Sequence, residues 1–361
     1  MAYCRGMSRQ RVAVVQQPPV LLNRQATVER AVALTDEAAS EGARLITFPE
    51  AYIPGYPEWI WRLRPGADYE QSSEIHARLI DNAVDLNSDV LDPMLAVARR
   101  RRVTVVVGLH EREGSFGRAT LYNTVVIVNA RGEIANRHRK LMPTNPERMV
   151  WGLGDASGLR VVDTDAGRLG ALICWENYMP LARYALYAGG VQIYVAPTWD
   201  MGSGWMSTVV HIALEGRCWV IGNGTSLQGR DIPADFPERE TLFPDPDEWI
   251  NEGDSLVVAP NGTIVAGPLN KQHGILYAEC DPDRSTYAHR TLDVTGHYAR
   301  PDVFKLEVRR DSDVPVSFSD GDQPPRAQAL RTRNGQTPRS GRKAKRLPDS
   351  EDLTRADVAQ W

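Results

Sequence analysis

The chain has 361 residues, 42% hydrophobic and 24% charged, a composition that supports one large core or two modest ones. Its 42 basic and 46 acidic residues leave a formal charge of -4, so no excess of positive charge points to nucleic acid or an anionic membrane surface. No run of about eighteen apolar residues could cross a bilayer. The segment Met1 to Gln10 has no apolar centre, which argues against a signal peptide and for the cytoplasm, and Cys4, Cys174, Cys218 and Cys280 are too scattered for a disulfide framework or a zinc site.

In chain order, Arg11 to Gln17 reads as a buried strand, and Thr27 to Ser40 has helical spacing at Val28, Ala31, Val32 and Ala38. A second strand follows at Leu45 to Phe48. A helix over Pro93 to Arg101 and a strand over Val103 to Leu109 continue the alternation, which signals an α/β domain. Two hairpins are predicted, one turning at Arg131-Gly132 between Tyr122–Asn129 and Glu133–Arg137, the other at Ala166-Gly167 between Arg160–Asp163 and Arg168–Ile173. The sheets are therefore expected to be mixed. Helices near Leu181 to Tyr187 and Ser207 to Arg217 alternate with strands at Gln192 to Ala196 and Trp219 to Gly222. A last hairpin closes over Asn261-Gly262. The predicted organisation is an N-terminal extension over 1–10, one α/β domain over 11–308, and a polar C-terminal tail over 309–361 too poor in large apolar side chains to order itself. The tail's basic knot, Arg342, Lys343, Lys345 and Arg346, reads as a solvated run.

Three residues stand where α/β folds expose reactive groups, at strand ends. Cys174 closes the apolar run Leu169 to Ile173. It is either a buried small hydrophobe or a nucleophile whose thiolate forms beside a cation or a helix end. Glu50 ends the strand Leu45 to Phe48 among Tyr52, Pro54, Tyr56 and Pro57, where partial desolvation would raise its pKa and suit it to general base work; the alternative is a loop acid facing water. Lys140 leaves the run Arg137-His138-Arg139 and enters a loop constrained by Pro143, which could hold a fixed positive charge for an electron-rich intermediate. Glu147 either orients that ammonium or pairs with Arg148.

Together the segments Phe48-Pro49-Glu50-Ala51, Arg139-Lys140-Leu141, Pro143-Thr144, Glu147-Arg148, Val150-Trp151-Gly152, Gly154-Asp155, Cys174-Trp175-Glu176-Asn177 and Gly296 to Asp302 resemble the nitrilase branch of the carbon-nitrogen hydrolase superfamily, from about Arg11 to about Val308. The resemblance implies a four-layer α-β-β-α sandwich with two mixed sheets. It implies Cys174 as nucleophile, Glu50 as general base, Lys140 as the stabilising cation and Glu147 as a second carboxylate, acting on an organic nitrile and water with no metal or cofactor. It also implies a homo-oligomer, a dimer across a helical face or a spiral filament. Trp175, directly after the cysteine, favours nitriles over the substrates of the amidase and N-carbamoyl hydrolase branches. Aromatic walls are expected from Tyr56, Trp151, Trp175 and Trp199, and His297 reads as structural. A catalytically silent binding or assembly protein on the same fold is the reading from another class. No G-x-S-x-G elbow supports a serine hydrolase, and Gly152-Leu153-Gly154 opens no helix after a buried strand, so it is no dinucleotide fingerprint.

Overall fold

The computed structural model describes residues 9–114, 116–311 and 316. Cys4 and the expected tail from residue 312 onward, Val316 excepted, lie outside the described residues. The elements in chain order are β1 (Gln10–Gln16), α1 (Arg24–Ser40), β2 (Leu45–Thr47), α2 (Tyr69–Asn82), α3 (Asp92–Arg101), β3 (Thr104–Arg112), β4 (Leu121–Val128), β5 (Ile134–Arg139), β6 (Val162–Thr164), β7 (Gly167–Ala171), α4 (Pro180–Ala188), β8 (Ile193–Thr198), α5 (Gly202–Gly216), β9 (Trp219–Gly224), β10 (Ser226–Gln228), α6 (Arg239–Leu242), β11 (Trp249–Val258), β12 (Ile264–Asn270), β13 (Gly274–Cys280) and α7 (Pro282–Ala288).

They build two mixed sheets. The first runs β13-β1-β2-β3-β4-β5, with β1, β2 and β3 parallel and the remaining pairs antiparallel. The second runs β10-β11-β9-β8-β7-β6, with β12 on β11; its parallel centre is β7, β8 and β9. Alternation along each strand decides what lies between the layers. Val12 and Val14 of β1, with Val106 and Val125, meet Leu169, Ile193, Val195 and Ile221 of the opposite sheet. The intervening residues Ala13, Val15, Val105 and Val107 pack on α1 and α3, while Tyr194, Ala196, Val220 and Val258 pack on α4 and α5. The outcome is the expected four-layer α-β-β-α sandwich.

Five elements were not anticipated: the short β10, α6 and α7, and the longer α2 and β13. Helix α2 buries only Ile75 and Leu79, a stripe too thin to stand out among polar neighbours. Strand β13 is half exposed along nearly its whole length and returns antiparallel to β1, Gln10 opposite Cys280, so the first sheet is completed by a segment some 260 residues downstream. Among the described residues no helix is long and apolar enough to cross a membrane.

Candidate active site

The parallel strands of both sheets end on one side of the sandwich, and the chemistry-bearing residues follow directly from those ends. Glu50 comes three residues after β2. The chain turns sharply behind it because Ala51 adopts φ 50, a left-handed conformation that costs a non-glycine residue on the order of 1 kcal/mol. Strand β3 presses against this turn. A Cβ at Gly108 would stand 2.3 Å from Pro49 O and 2.6 Å from Ala51 N, so only glycine admits the approach. Glu50 is 1% exposed and fully engaged: Oε1 accepts from Lys140 Nζ at 2.8 Å and Asn123 Nδ2 at 2.7 Å, and Oε2 accepts from the backbone N–H of Trp199 at 2.7 Å.

Lys140 follows β5, and its own N–H donates to Asn123 O at 2.7 Å, so β4 fixes both the lysine backbone and the carboxylate it serves. Its ammonium, also buried, bridges Glu50 and Glu147 Oε2, the latter at 2.7 Å. Glu147 sits in a single 3₁₀ turn, Asn145–Met149, opened by a reciprocal cap with Thr144, whose N–H donates to Glu147 Oε2 at 2.7 Å. Arg148 takes no part; its Nε donates to Pro143 O. Gly154 is explained by packing: its N–H donates to Lys140 O at 2.9 Å, and a Cβ there would lie 2.3 Å from Arg139 O.

Cys174 opens the 3₁₀ turn Cys174–Tyr178 beyond β7 with φ 52, a left-handed non-glycine conformation like those of Ala51 and Asn145, and strain of this kind collects at functional sites. The thiol is 4% exposed and hydrogen-bonds the Thr198 hydroxyl. Burial, reinforced by the charge of Glu50, pushes the thiol up, so it waits protonated and needs a base. Burial likewise raises Glu50, against the pull of Lys140. Burial works against the Lys140 charge, but Glu50, Cys174 and Glu147 outweigh it and hold the ammonium charged. The site therefore sets a thiol, a carboxylate with raised proton affinity and a permanent cation side by side.

A sequence model of the carbon-nitrogen hydrolase family matches residues 11–290. The chain belongs to that family. It is 39% identical to the bifunctional nitrilase/nitrile hydratase NIT4B of Nicotiana tabacum across 86% of this chain and 88% of that protein, and 41% identical to an aliphatic nitrilase of Sinorhizobium fredii (strain HH103) across 84% and 96%. Among solved structures, the carbon-nitrogen hydrolase from Helicobacter pylori G27 shares the fold at TM-score 0.61 and 20% identity, covering 82% of this chain and 97% of that one. An amidase from Nesterenkonia sp. does so at TM-score 0.55 and 20% identity, over 81% and 98%; at that identity the likeness concerns the fold alone.

In this carbon-nitrogen hydrolase the expected aromatic residues divide into two groups. Tyr56 and Trp151 are buried and Trp199 partly so. Tyr56 stacks on Trp199 at 4.2 Å and 6°, and meets Trp151 edge-on at 5.7 Å. The Tyr56 hydroxyl donates to Glu147 Oε1 at 2.8 Å, which ties the aromatic group to the ion-pair chain. Trp151 Nε1 donates to His110 Nδ1 at 3.0 Å while His110 Nε2 faces Gly55 O at 2.8 Å. Burial drops His110 to about 3, so the imidazole is neutral and serves as a strut. Trp175 is placed differently: its ring is 47% exposed, edge-on to Tyr178, and its Nε1 donates to Asp200 Oδ2 at 2.9 Å. It lies at the surface, not among the buried rings. His297 is exposed beside Tyr298, and nothing joins it to the site.

The sequence reading missed Asn123, Thr198, His110 and Gly108. Asn123 carried a signal, since it is, with Thr124, a buried polar residue inside the mainly apolar strand β4 and needs a partner.

Proposed function

We propose that this protein is a nitrilase that converts an organic nitrile and two waters to a carboxylic acid and ammonia, with Cys174 as nucleophile, Glu50 as general base, Lys140 as the stabilising cation and Glu147 as the carboxylate that positions it. The observation that carries the reading is the buried chain Glu50–Lys140–Glu147 beside a protonated thiol, in a sequence about 40% identical over most of its length to proteins named nitrilases.

A nitrile carbon is a weak electrophile, so attack must be coupled to protonation of the nitrogen. Glu50 removes the thiol proton as sulfur adds to carbon, and that proton passes to nitrogen, giving a thioimidate. Glu50 then deprotonates a water that adds to the same carbon. Cleavage of the C–N bond expels ammonia and leaves a thioester; a second water releases the acid and restores the thiol. Cleavage of the C–S bond at the tetrahedral stage releases an amide instead and consumes one water. Lys140 offers fixed positive charge to the electron-rich nitrogen at each addition. The tobacco relative is named both nitrilase and nitrile hydratase, which supports some amide by-product here.

Tyr56, Trp151 and Trp199 supply the apolar walls of the substrate pocket in this reading, and Trp175 its outer rim. The enzyme is cytoplasmic and assembles as a dimer or larger, extending to filaments, through apolar side chains left exposed at Met179, Leu181 and Leu214 on the α4–α5 layer. Sedimentation of a Leu181→Glu variant tests the last point; an unchanged oligomer removes it. The activity is tested by incubating the protein with a panel of nitriles and their matching amides and measuring acid, amide and ammonia separately. Acid and ammonia in equal amounts from nitriles support the proposal. Turnover of amides with no consumption of any nitrile moves the protein to the amidase branch.

A further inference from the structure

The nucleophile and the catalytic cation come from different sheets: Lys140 leaves β5 of the first, Cys174 leaves β7 of the second. A reaction that passes through two tetrahedral centres needs a constant separation between sulfur and ammonium, and loops that leave separate sheets do not provide it by themselves. One side chain joins them. Glu176 is wholly buried. Its Oε2 accepts the N–H of Ile173, the residue before the nucleophile, at 2.7 Å; its Oε1 accepts the N–H of Leu141, the residue after the lysine, at 2.6 Å. His138 Nε2 lies 3.0 and 3.1 Å from the two oxygens. The neighbouring Asn177 completes the clamp on the nucleophile turn, with Nδ2 donating to Cys174 O at 2.7 Å and Leu172 O at 3.1 Å, and Oδ1 accepting from Tyr194 at 2.7 Å.

We propose that Glu176 is a positioning residue that sets the distance of the Cys174 sulfur from the Lys140 ammonium, and thereby which leaving group departs from the tetrahedral centre. The inference rests on the nitrilase reading for the product it affects. Burial alone would drive the Glu176 carboxyl up, but His138 and the two backbone N–H groups outweigh it and keep the group low, so the clamp stays ionised and accepting throughout turnover. A misplacement of about 1 Å between reacting groups costs up to about 10²-fold in rate. Ammonia leaves only after its nitrogen has received a proton from the Glu50 carboxyl, which Lys140 holds in place at 2.8 Å, so a displaced lysine carries that proton donor away from the nitrogen and favours departure of sulfur and release of amide.

The test is Glu176→Gln, which preserves shape but presents an NH2 group to one of the two backbone N–H groups and so frees one loop. Expected are a kcat reduced by about 10- to 100-fold, a KM within about threefold of the wild type, and an amide share of product at least doubled. The product ratio does not depend on how much enzyme is folded, so a damaged fold alone leaves it unmoved; lower activity with an unchanged ratio would overturn the proposal. If Glu176→Gln gives no soluble enzyme, Glu176→Asp, which keeps the charge but withdraws the oxygens by one methylene, is read for the same ratio. A wild type that consumes no nitrile sinks the nitrilase reading instead. The pair is then compared by alkylation of Cys174 with iodoacetamide, where equal rates overturn the positioning role and a slower variant supports it.

Discussion

Two buried glutamates contact the end of the strand that leads to the lysine, Glu50 at Lys140 and Glu176 at His138 and Leu141, and their carboxyl groups are driven in opposite directions. Glu50 is raised and Glu176 lowered, although burial opposes the charge of both. Each accepts from two further N–H groups, Glu50 from Asn123 and Trp199 and Glu176 from Ile173 and Leu141, so the difference lies in the second carboxylate: Glu147 shares the Lys140 ammonium and its charge raises Glu50, whereas Glu176 faces His138, which draws it down. A carboxylate with a raised proton affinity can take a proton from a thiol and give it away. One held low can only accept hydrogen bonds, which suits a permanent clamp. Burial of a carboxylate is therefore no guide to its role, whereas the partners that share its charge are.

Several measurements can break this contrast. The largest effect is expected for Glu50→Gln, which removes the base while preserving shape: kcat should fall by about 10²- to 10⁴-fold with an unaltered circular dichroism spectrum. Activity near the wild-type level would give the proton transfer to another group. The pH profile sharpens the same point. Because Glu50 is raised above its ordinary 4.5, it gains its proton, and activity is lost, as pH falls through a value higher than that. An acid limb of kcat/KM at or below 4.5 would contradict the account.

A smaller effect is expected for Tyr56→Phe. The variant keeps the stack on Trp199 but removes the hydrogen bond to Glu147, which leaves the second carboxylate freer to draw the ammonium away from Glu50. Loss of a hydrogen bond to a charged group is worth about 1.5–3 kcal/mol, so kcat should fall by roughly 10-fold with KM little changed. A rise in KM alone would place Tyr56 with the substrate and not with the ion-pair chain.

The smallest effect concerns a third buried carboxylate. Glu58, 6% exposed, is pushed up to about 7 by burial, with Arg62 pulling it down only in part, since Arg62 also pairs with Glu248. A carboxyl raised in the folded state contributes stability below its unfolded value and loses it as pH rises through about 7. The wild type should therefore lose on the order of 1 kcal/mol more than Glu58→Gln between pH 6 and pH 8, read from urea midpoints. Parallel curves for the two proteins would mean that Glu58 is already solvated or fully paired.

Much of this was legible in the sequence, and the reasons are local ones. Strands such as β1 and β8 announce themselves because both faces are buried and the run is continuously apolar. Glu50, Lys140 and Cys174 could be singled out because each follows a strand and lies in a short distinctive segment. Glu147 was ambiguous, since Lys140 and Arg148 were equally available along the chain; only the cap by Thr144 aims it inward. Asn123, Thr198 and the clamp of Glu176 on Leu141 are contacts between segments far apart in sequence, and no periodicity encodes them. Trp175 shows the opposite limit: its place next to Cys174 suggested an aromatic wall, yet the turn that opens at Cys174 directs the indole outward to Asp200.

The central claim is that nitrile hydrolysis passes through the sulfur of Cys174. Its most direct test is acid, amide and ammonia release from a nitrile by purified, folded Cys174→Ala beside the wild type. The expected result is product from the wild type and none above background from the variant, whereas turnover of the nitrile by Cys174→Ala at a rate near that of the wild type would contradict the account.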